Sequence, residues 1–365
     1  MNTDKLTVID LFSGAGGLTT GFVRAGFQPI AAVEREPVFA RTYEANFGCH
    51  VFTGNIEDSI EKLKELKADM VIGGPPCQGF SNLTLNKPSD PRRTLWQHFM
   101  DIVESSECNV FLMENVPNLL TSEEGAAIID RAFELGFWVD RGVLLASRFG
   151  VPQNRKRAFI LGSKIGPITL PTGSGQIVTV REAFEGIPLQ PTVRDFPRAE
   201  KPVKTFELHI ARNPTEISIR RYRLIPPGGN RFDLQRAAPE LTPQCWIRKK
   251  SGGTDLYGRL SWDEPARCTI RTEFYKPEKG RYLHPQEHRP ITHWEAARLQ
   301  TFPDDFLWTG SKIEIAIQIG NAVPPKLAEC LARHIFPRLQ EHREQSQKTK
   351  RGGGKHVRRQ TEILA

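Results

Sequence analysis

The sequence has few cysteines and no long apolar segment. Six cysteines occur among 365 residues, at positions 49, 77, 108, 245, 268 and 330, and no two of them have C-x-x-C spacing. Scattered cysteines of this kind suggest neither a zinc site nor a disulfide framework, so we predict no bound metal. No apolar run approaches the roughly 18 residues that a membrane helix needs, and we find no signal peptide. We therefore expect an intracellular, cytoplasmic protein.

Basic charge is scarce in the first part of the chain and abundant in the middle. The net charge is +8, but residues 1–150 carry 13 basic against 20 acidic side chains, whereas residues 151–290 carry 25 against 14. A strongly basic middle segment indicates a polyanionic partner such as a nucleic acid. Charge alone does not separate this interpretation from an ordinary solvated basic surface. The length suits one large domain and a smaller one.

The chain begins with the pattern of a βαβ unit. Residues 6–12 form an apolar run typical of a buried strand, residues 13–17 are a glycine-rich turn, and residues 18–25 have helical spacing. A second strand, 29–33, ends at Glu34. Glycines let a ligand approach the backbone closely, and a carboxylate accepts hydrogen bonds from two ribose hydroxyls. The unit therefore predicts a nucleoside ligand.

The glycine-rich turn lacks the third glycine of the dinucleotide-binding form G-x-G-x-x-G. Thr19 stands at that position. This departure favours a ligand without a pyrophosphate. A nicotinamide-dependent oxidoreductase remains an alternative as long as only the turn and Glu34 are considered.

A candidate nucleophile follows the next strong strand signal. The apolar run 68–72 leads through residues 73–76, Gly-Gly-Pro-Pro, to Cys77. The glycines permit a sharp turn and the prolines stiffen it, so the thiol is expected at the carboxyl edge of the sheet, where ligands bind in open α/β folds. A free cysteine is usually a small buried hydrophobe, but these flanking residues favour a nucleophile. The polar loop 82–93 is a candidate for closing over a substrate, and an ordinary surface connection is the alternative.

Strand and helix signals alternate through this part of the chain, which predicts a doubly wound α/β sheet. A fifth apolar strand ends in Glu114, and a buried carboxylate is costly unless it is satisfied or used. The strands predicted at 138–146 and 158–162 form a hairpin whose turn carries Arg155 and Arg157. Alternate residues of an extended chain point the same way, so we expect both arginines to face one site. A solvated basic turn is the alternative.

The composition changes after residue 166. We predict an α/β domain at 1–166, a small loop-rich domain at 167–285 with basic clusters among glycines and aromatic residues, and a return of regular structure at 286–340. The last predicted helix is 326–336. The polar, basic tail 341–365 is expected to be disordered.

Six segments resemble, in order, the motifs of the DNA cytosine-C5 methyltransferase family of bacterial and phage restriction–modification systems. They are 10–17 (DLFSGAGG), 74–81 (GPPCQGFS), 114–116 (ENV), 153–157 (QNRKR), 298–303 (RLQTFP) and 320–325 (GNAVPP). The resemblance covers most of 1–165 and 285–336. It implies a Rossmann-like, S-adenosylmethionine-dependent methyltransferase domain formed by 1–166 and 286–340, with a target-recognition domain at 167–285.

The resemblance also implies four catalytic roles. The thiolate of Cys77 adds to carbon 6 of cytosine and so makes carbon 5 nucleophilic. Glu114, protonated because burial raises its pKa, acts at N3 of the base. Arg157 holds O2 of the base, and Arg155 helps to position Cys77 or a flipped-out nucleotide. The loop 79–93 is expected to close over that nucleotide.

For the cofactor, the resemblance places Phe12 against the adenine ring, Glu34 on the ribose hydroxyls, Asn321 near the methionine moiety and Leu95 in the same pocket. The remaining residues implied are Gly14, Gly16, Gly17, Asn55, Ile56, Pro76, Ala322 and Val323. Asn55 departs from the family, which usually has Asp at this position. The amide oxygen still accepts a hydrogen bond from the adenine amino group, but a weaker one.

The resemblance leaves alternatives. A tRNA cytosine-C5 methyltransferase shares these motifs, although its recognition region is shorter and a different sequence follows its Pro-Pro-Cys. A catalytically silent DNA-binding regulator is a second alternative, against which all the expected catalytic residues are present. We predict double-stranded DNA as the partner, a cognate restriction endonuclease acting on the same site, and a monomer that does not bind membranes.

Overall fold

A computed structural model describes residues 5–76, 94–173, 175–192, 196, 199–210, 213–248, 250–254, 256–276 and 281–361, with side chains as far as Lys348. The first half of the chain forms a seven-stranded sheet. Its strands are β1 (Thr7–Leu11), β2 (Gln28–Glu34), β3 (Val51–Thr53), β4 (Met70–Gly73), β5 (Val110–Asn115), β6 (Trp138–Leu145) and β7 (Lys156–Ser163). They lie in the order β3-β2-β1-β4-β5-β7-β6, and β7 is antiparallel to both of its neighbours. The predicted doubly wound fold is confirmed, and so is the predicted hairpin of β6 and β7.

Helices cover both faces of this sheet. They are α1 (Gly17–Arg24), α2 (Pro37–Phe47), α3 (Ile60–Lys64), α4 (Leu95–Ser105) and α5 (Glu123–Glu134). Successive residues of a strand point to opposite faces. Val8 of β1 accordingly packs with Phe22 of α1 and Leu331 of the C-terminal helix, whereas Ile9 packs with Phe99 of α4 on the other face. Because both faces are buried at the centre of the sheet, β1, β4 and β5 are mostly apolar, whereas β6 at the edge is largely accessible to solvent.

The second half of the chain has short elements and then returns to the sheet. They are α6 (Val180–Ala183), β8 (Ala199–Lys204), α7 (Glu216–Arg223), α8 (Arg231–Ala237), α9 (Gln244–Ile247), α10 (His293–Leu299), β9 (Leu307–Gly310), α11 (Lys312–Asn321) and α12 (Pro325–Thr361). Thr292 and Glu295 form a capping box at the start of α10. None of the helices within the described residues is long and apolar enough to cross a membrane.

The predicted recognition region packs closely against the C-terminal part of the chain. Strand β8 pairs with β9 in antiparallel fashion, and fully buried Trp308 of β9 donates through its indole N–H to Thr205. Phe184 and Phe274 belong to the same apolar cluster as Trp308. One apolar core thus contains residues from both sides of the boundary predicted at 285. The domain boundaries at 166 and 285 stay predictions.

The C-terminal helix is longer than the sequence predicted. The predicted helix ended at residue 336, since a proline at 337 lacks the N–H that continues a helix, and disorder was expected from 341. The structure instead continues the helix from Pro325 to Thr361 with Pro337 inside it. Leu339 is buried beyond that proline, and Arg343 donates to the carbonyl of Lys5. These contacts stabilise the helical segment after Pro337, which intrinsic helix propensity alone does not favour.

Candidate active site

A cavity of about 550 Å³ opens at the carboxyl edge of the sheet. It lies where β1 adjoins β4, and the strand order reverses there because β2 and β3 lie beyond β1 whereas β5 lies beyond β4. Ligands of doubly wound folds bind in the crevice at such a switch point. The predicted site residues that line the cavity are Phe12, Gly14, Gly17, Glu34, Asn55, Ile56, Pro76, Leu95, Glu114, Arg157, Asn321, Ala322 and Val323.

Three predicted site residues are not among those that line the cavity. Gly16 and Arg155 lie outside its lining, and Cys77 lies outside the residues that the structure describes. Gly16 is the N-cap of α1 and has a left-handed φ of 90°, and a Cβ there would lie 2.3 Å from the ring of Phe47. The packing of α2 against the turn therefore requires this glycine. Arg155 is fully buried behind the cavity wall. Cys77 lies outside the described residues, as does the loop 79–93, so both stay predictions.

The carboxylate of Glu34 is held by backbone amides at the end of β2. Its Oε2 accepts from the N–H of Gly14 and its Oε1 from the N–H of Glu36, both at 2.8 Å. Burial raises the pKa of Glu34, while these amide hydrogen bonds act in the opposite direction. Each oxygen keeps a further lone pair. A fixed carboxylate with spare acceptor capacity at this position suits a ligand with adjacent hydroxyls.

Glu114 and Arg157 form an ion pair in the cavity. The Nε of Arg157 donates to Oε1 of Glu114 at 2.8 Å, and both side chains are largely buried. Burial is the main influence on the pKa of Glu114 and raises it, although Arg157 and Arg155 oppose that effect. A carboxyl group with a raised pKa retains a proton that it can donate to a ligand. The pair thus combines a candidate proton donor with a fixed cation.

Asn115 anchors the segment that leads to Cys77. Its side-chain amide donates to the carbonyl of Pro75 at 2.9 Å, and its Oδ1 accepts from the N–H of Val116. The sequence placed Asn115 inside a motif but assigned it no role. The bond fixes the end of β5 against Pro75, so Glu114 and Pro75 keep one relative position.

Arg155 turns away from the cavity. Its guanidinium donates to the carbonyls of Ile270, Gly320 and Asn321 at 3.2 to 3.3 Å. It precedes β7, so the alternation expected for an extended strand does not place it beside Arg157 in the cavity wall. Its charge nevertheless acts on Glu114. The predicted role in positioning Cys77 stays a prediction.

The cavity has lining residues that the sequence did not single out. They are Arg35, Glu36, Phe39 and Glu57, near the ends of β2 and β3, and Gln318 of α11. Gln318 donates to the carbonyl of Thr309, and its buried Oε1 has no hydrogen-bond partner. That free acceptor signals a ligand donor group, because buried polar atoms are normally paired. No motif or periodicity marked Gln318, since its position depends on how α11 packs.

A second buried carboxyl lies beneath the glycine turn. Asp10 of β1 is fully buried, accepts a hydrogen bond from Thr19 at 2.5 Å, and has one oxygen without a partner. Burial raises the pKa of Asp10 to about 7. The hydroxyls of Thr19 and Tyr43 lie 3.2 Å apart, and the Tyr43 hydroxyl lies 3.2 Å from Nε2 of His50. Thr19, which breaks the dinucleotide pattern, therefore serves this network.

The mostly parallel sheet, with its cavity at the switch point, defines a Rossmann-like methyltransferase fold. Within the described residues, no group of three or more His, Cys, Asp and Glu side chains is placed to hold a metal ion. The family model for C-5 cytosine-specific DNA methylases matches residues 6–337. The chain belongs to this family and is a DNA cytosine-C5 methyltransferase, which confirms the resemblance read from its motifs.

Individual relatives agree with the family. The chain is 36% identical to the Type II methyltransferase M1.HphI of Haemophilus parahaemolyticus, over 91% of this chain and 87% of that protein. It is 30% identical to the Type II methyltransferase M.AgeI of Thalassovita gelatinovora, over 90% and 99% of the two chains. A crystal structure of a putative prophage-encoded DNA modification methyltransferase from E. coli has a TM-score of 0.69 and 27% identity, and the match covers 92% of this chain and 99% of that one.

Proposed function

We propose that this protein transfers a methyl group from S-adenosylmethionine to carbon 5 of a flipped-out cytosine in a specific double-stranded DNA sequence. The observation that carries the proposal is the buried Glu114–Arg157 pair in the same cavity as Phe12 and Glu34. The cavity offers a proton donor and a cation for a base on one side, and an aromatic ring and a carboxylate for a nucleoside on the other.

The residues of the cavity fit S-adenosylmethionine. Phe12 and Leu95 offer apolar surface to the adenine, and Glu34 offers acceptors to the ribose hydroxyls. The unpartnered Oε1 of Gln318 is suited to a donor such as the cofactor's amino group. Gly14, Gly17, Asn55, Ile56, Pro76 and the segment Asn321–Val323 complete the wall. When bound, the cofactor supplies an electrophilic methyl group.

The proposed reaction gives each catalytic residue one task. The Cys77 thiolate forms a bond to carbon 6 of the base while Glu114 protonates N3, which places electron density on carbon 5. Arg157 orients Glu114 and holds O2 of the base. After methyl transfer a base removes the proton from carbon 5, the bond from carbon 6 to Cys77 breaks to release the thiolate, and N3 returns its proton to Glu114. We assign Arg155 to positioning, because both of its terminal guanidinium nitrogens donate to backbone carbonyls.

We propose that the basic segment 151–290 binds the DNA. Its charge, 25 basic against 14 acidic residues, favours phosphate contacts that offset the cost of flipping a nucleotide. Two relatives are named Type II methyltransferases, so we propose a restriction–modification role with a cognate endonuclease. We expect the enzyme to act as a monomer. A tRNA substrate and a silent regulator are the alternatives that the experiment must separate.

The test is bisulfite sequencing of DNA from host cells that express the wild-type chain, the Cys77→Ala variant or the Cys49→Ala variant. Cys49 is exposed and provides a matched control. We expect 5-methylcytosine at one short recurrent sequence with the wild type and with Cys49→Ala, and none with Cys77→Ala. Methylation that persists in Cys77→Ala would remove the proposed nucleophile. Methylation found only in tRNA would identify tRNA as the substrate. Methylation of neither DNA nor tRNA would favour a silent regulator.

A further inference from the structure

Three fully buried polar side chains connect the recognition region to the wall of the cavity. They are Gln153, Arg155 and Gln300, here called the polar junction. None of the three lines the cavity. Their hydrogen bonds join the segment 266–270 of the recognition region with the end of α10 and the end of α11. All of these contacts are between residues far apart in sequence.

Gln153 holds the recognition segment. Its Oε1 accepts from the N–H of Ile270 at 3.1 Å, and its Nε2 donates to Oε1 of Gln300 at 2.7 Å and to the carbonyl of Leu299 at 2.8 Å. Next to it, the N–H of Asn154 donates to the carbonyl of Ala266 at 2.8 Å. The side-chain amide of Gln153 is thereby satisfied on both sides, and a shift of the recognition segment breaks these bonds.

Gln300 links Gln153 to the cavity wall by hydrogen bonds. Its Nε2 donates to the carbonyl of Ile319 at 2.5 Å and to that of Ala322 at 3.4 Å. Ala322 lines the cavity. The two glutamines therefore form a continuous chain of hydrogen bonds from Ile270 to a residue of the cofactor wall.

Arg155 provides a second, parallel link. One guanidinium donates to Ile270 on the recognition side and to Gly320 and Asn321 on the cavity side. The two sides also touch directly, because a Cβ on Gly320 would lie 2.5 Å from the backbone nitrogen of Thr272. The recognition segment cannot move relative to the cavity wall unless both links rearrange.

We infer that the polar junction couples DNA binding to cofactor binding, with Gln153, Arg155 and Gln300 as positioning residues. The inference rests on the proposed function, which supplies both ligands. DNA that orders the segment 266–272 fixes the ends of α10 and α11, and so fixes Asn321 and Ala322 for the cofactor. By linkage, bound cofactor must raise the affinity for DNA by the same factor.

The experiment measures this coupling factor in the full-length enzyme. The dissociation constant of S-adenosylhomocysteine, the unreactive product, is determined calorimetrically with and without a saturating duplex that contains the mapped target sequence. We expect the wild-type ratio to be about fivefold or more and to fall measurably in Gln153→Met and in Gln300→Met, with the remaining coupling carried by the Arg155 link. The double variant should lose no more coupling than either single variant, because the two side chains are bonded to each other.

The control is Arg259→Lys. Arg259 is also buried and donates to backbone carbonyls, but all of these lie within residues 222–287. It should lower the melting temperature and leave the coupling ratio unchanged. Any substitution that only destabilises the fold should likewise lower the melting temperature without changing the coupling ratio. The ratio therefore distinguishes a residue that couples the two ligands from a purely structural one. If a methionine variant fails to fold, Gln300→Asn is measured in its place, because asparagine keeps the amide group but has a shorter reach.

Two failures are distinguishable. A wild-type ratio near one, or an unchanged ratio in folded variants that bind both ligands, overturns the inference and leaves the proposed function intact. A wild-type enzyme that binds neither S-adenosylhomocysteine nor duplex DNA overturns the proposed function, and the inference falls with it.

Discussion

Arg157 donates to Glu114 across 2.8 Å inside the cavity, yet burial still raises the pKa of Glu114 above its usual value. An arginine at this distance ordinarily stabilises the ionised carboxylate. Here removal from water outweighs that attraction, so the net effect on the pKa of Glu114 is an increase. The pair is therefore suited to proton donation rather than to stabilising the fold.

Glu114→Gln should lose catalysis while keeping cofactor binding. Glutamine preserves the shape and the hydrogen bond but cannot transfer a proton, so we expect the single-turnover methylation rate to fall about 10²- to 10⁴-fold. Glu123→Gln, at the exposed start of α5, is the control. The wild-type rate should decline as the pH rises through the raised pKa of Glu114. A rate within threefold of the wild type would refute the assignment.

Glu34→Gln should weaken cofactor binding more than it slows chemistry. One of the two carboxylate oxygens becomes an NH₂ group that faces a backbone N–H, either that of Gly14 or that of Glu36. We expect a roughly tenfold higher dissociation constant for S-adenosylhomocysteine, about 1.4 kcal/mol, measured calorimetrically. Glu61→Gln, a highly exposed residue of α3, should leave it unchanged. Equal affinity in both variants would show that Glu34 does not contact the cofactor.

Gly17→Ala should deform the cavity. A Cβ at this position would lie 2.4 Å from the carbonyl oxygen of Val323, and backbone on both sides resists movement. We expect a loss of about 1–3 kcal/mol in the free energy of unfolding, together with weaker cofactor binding. Gly142→Ala is the matched control, because its Cβ would meet only Leu170 at 3.5 Å. Equal melting temperatures for the two variants would contradict the packing.

Asp10→Asn should change how stability depends on pH. The folded pKa of about 7 lies above the model-peptide value of 3.8, so the native state binds the extra proton between these values. The contribution is complete below pH 3.8 and is lost by about pH 7, at up to about 1.4 kcal/mol per pH unit. Urea unfolding from pH 5 to 8 should show wild-type stability declining relative to Asp10→Asn. Parallel curves, like those expected for exposed Asp263→Asn, would exclude a buried titrating carboxyl.

The order of the motifs and the alternation of strand and helix signals were enough to predict the family, the doubly wound fold and several residues that meet at the sheet edge. Phe12 directly follows β1, and Glu34 and Glu114 lie at the carboxyl ends of β2 and β5, so all three reach the one edge where the carboxyl ends of parallel strands meet. Local order and motif therefore suffice to bring such side chains together. Their individual roles, and the position of Cys77, stay predictions.

Three features could be found only in the folded protein: Arg155 turns away from the cavity, Gln318 lines it, and Asp10 shares a hydrogen-bond network with Tyr43. The same is true of the pairing of β8 with β9, more than 100 residues along the chain. Periodicity reports the environment of a residue within one helix or strand. It carries no information on which distant segment fills that environment, because that choice follows from packing the whole core.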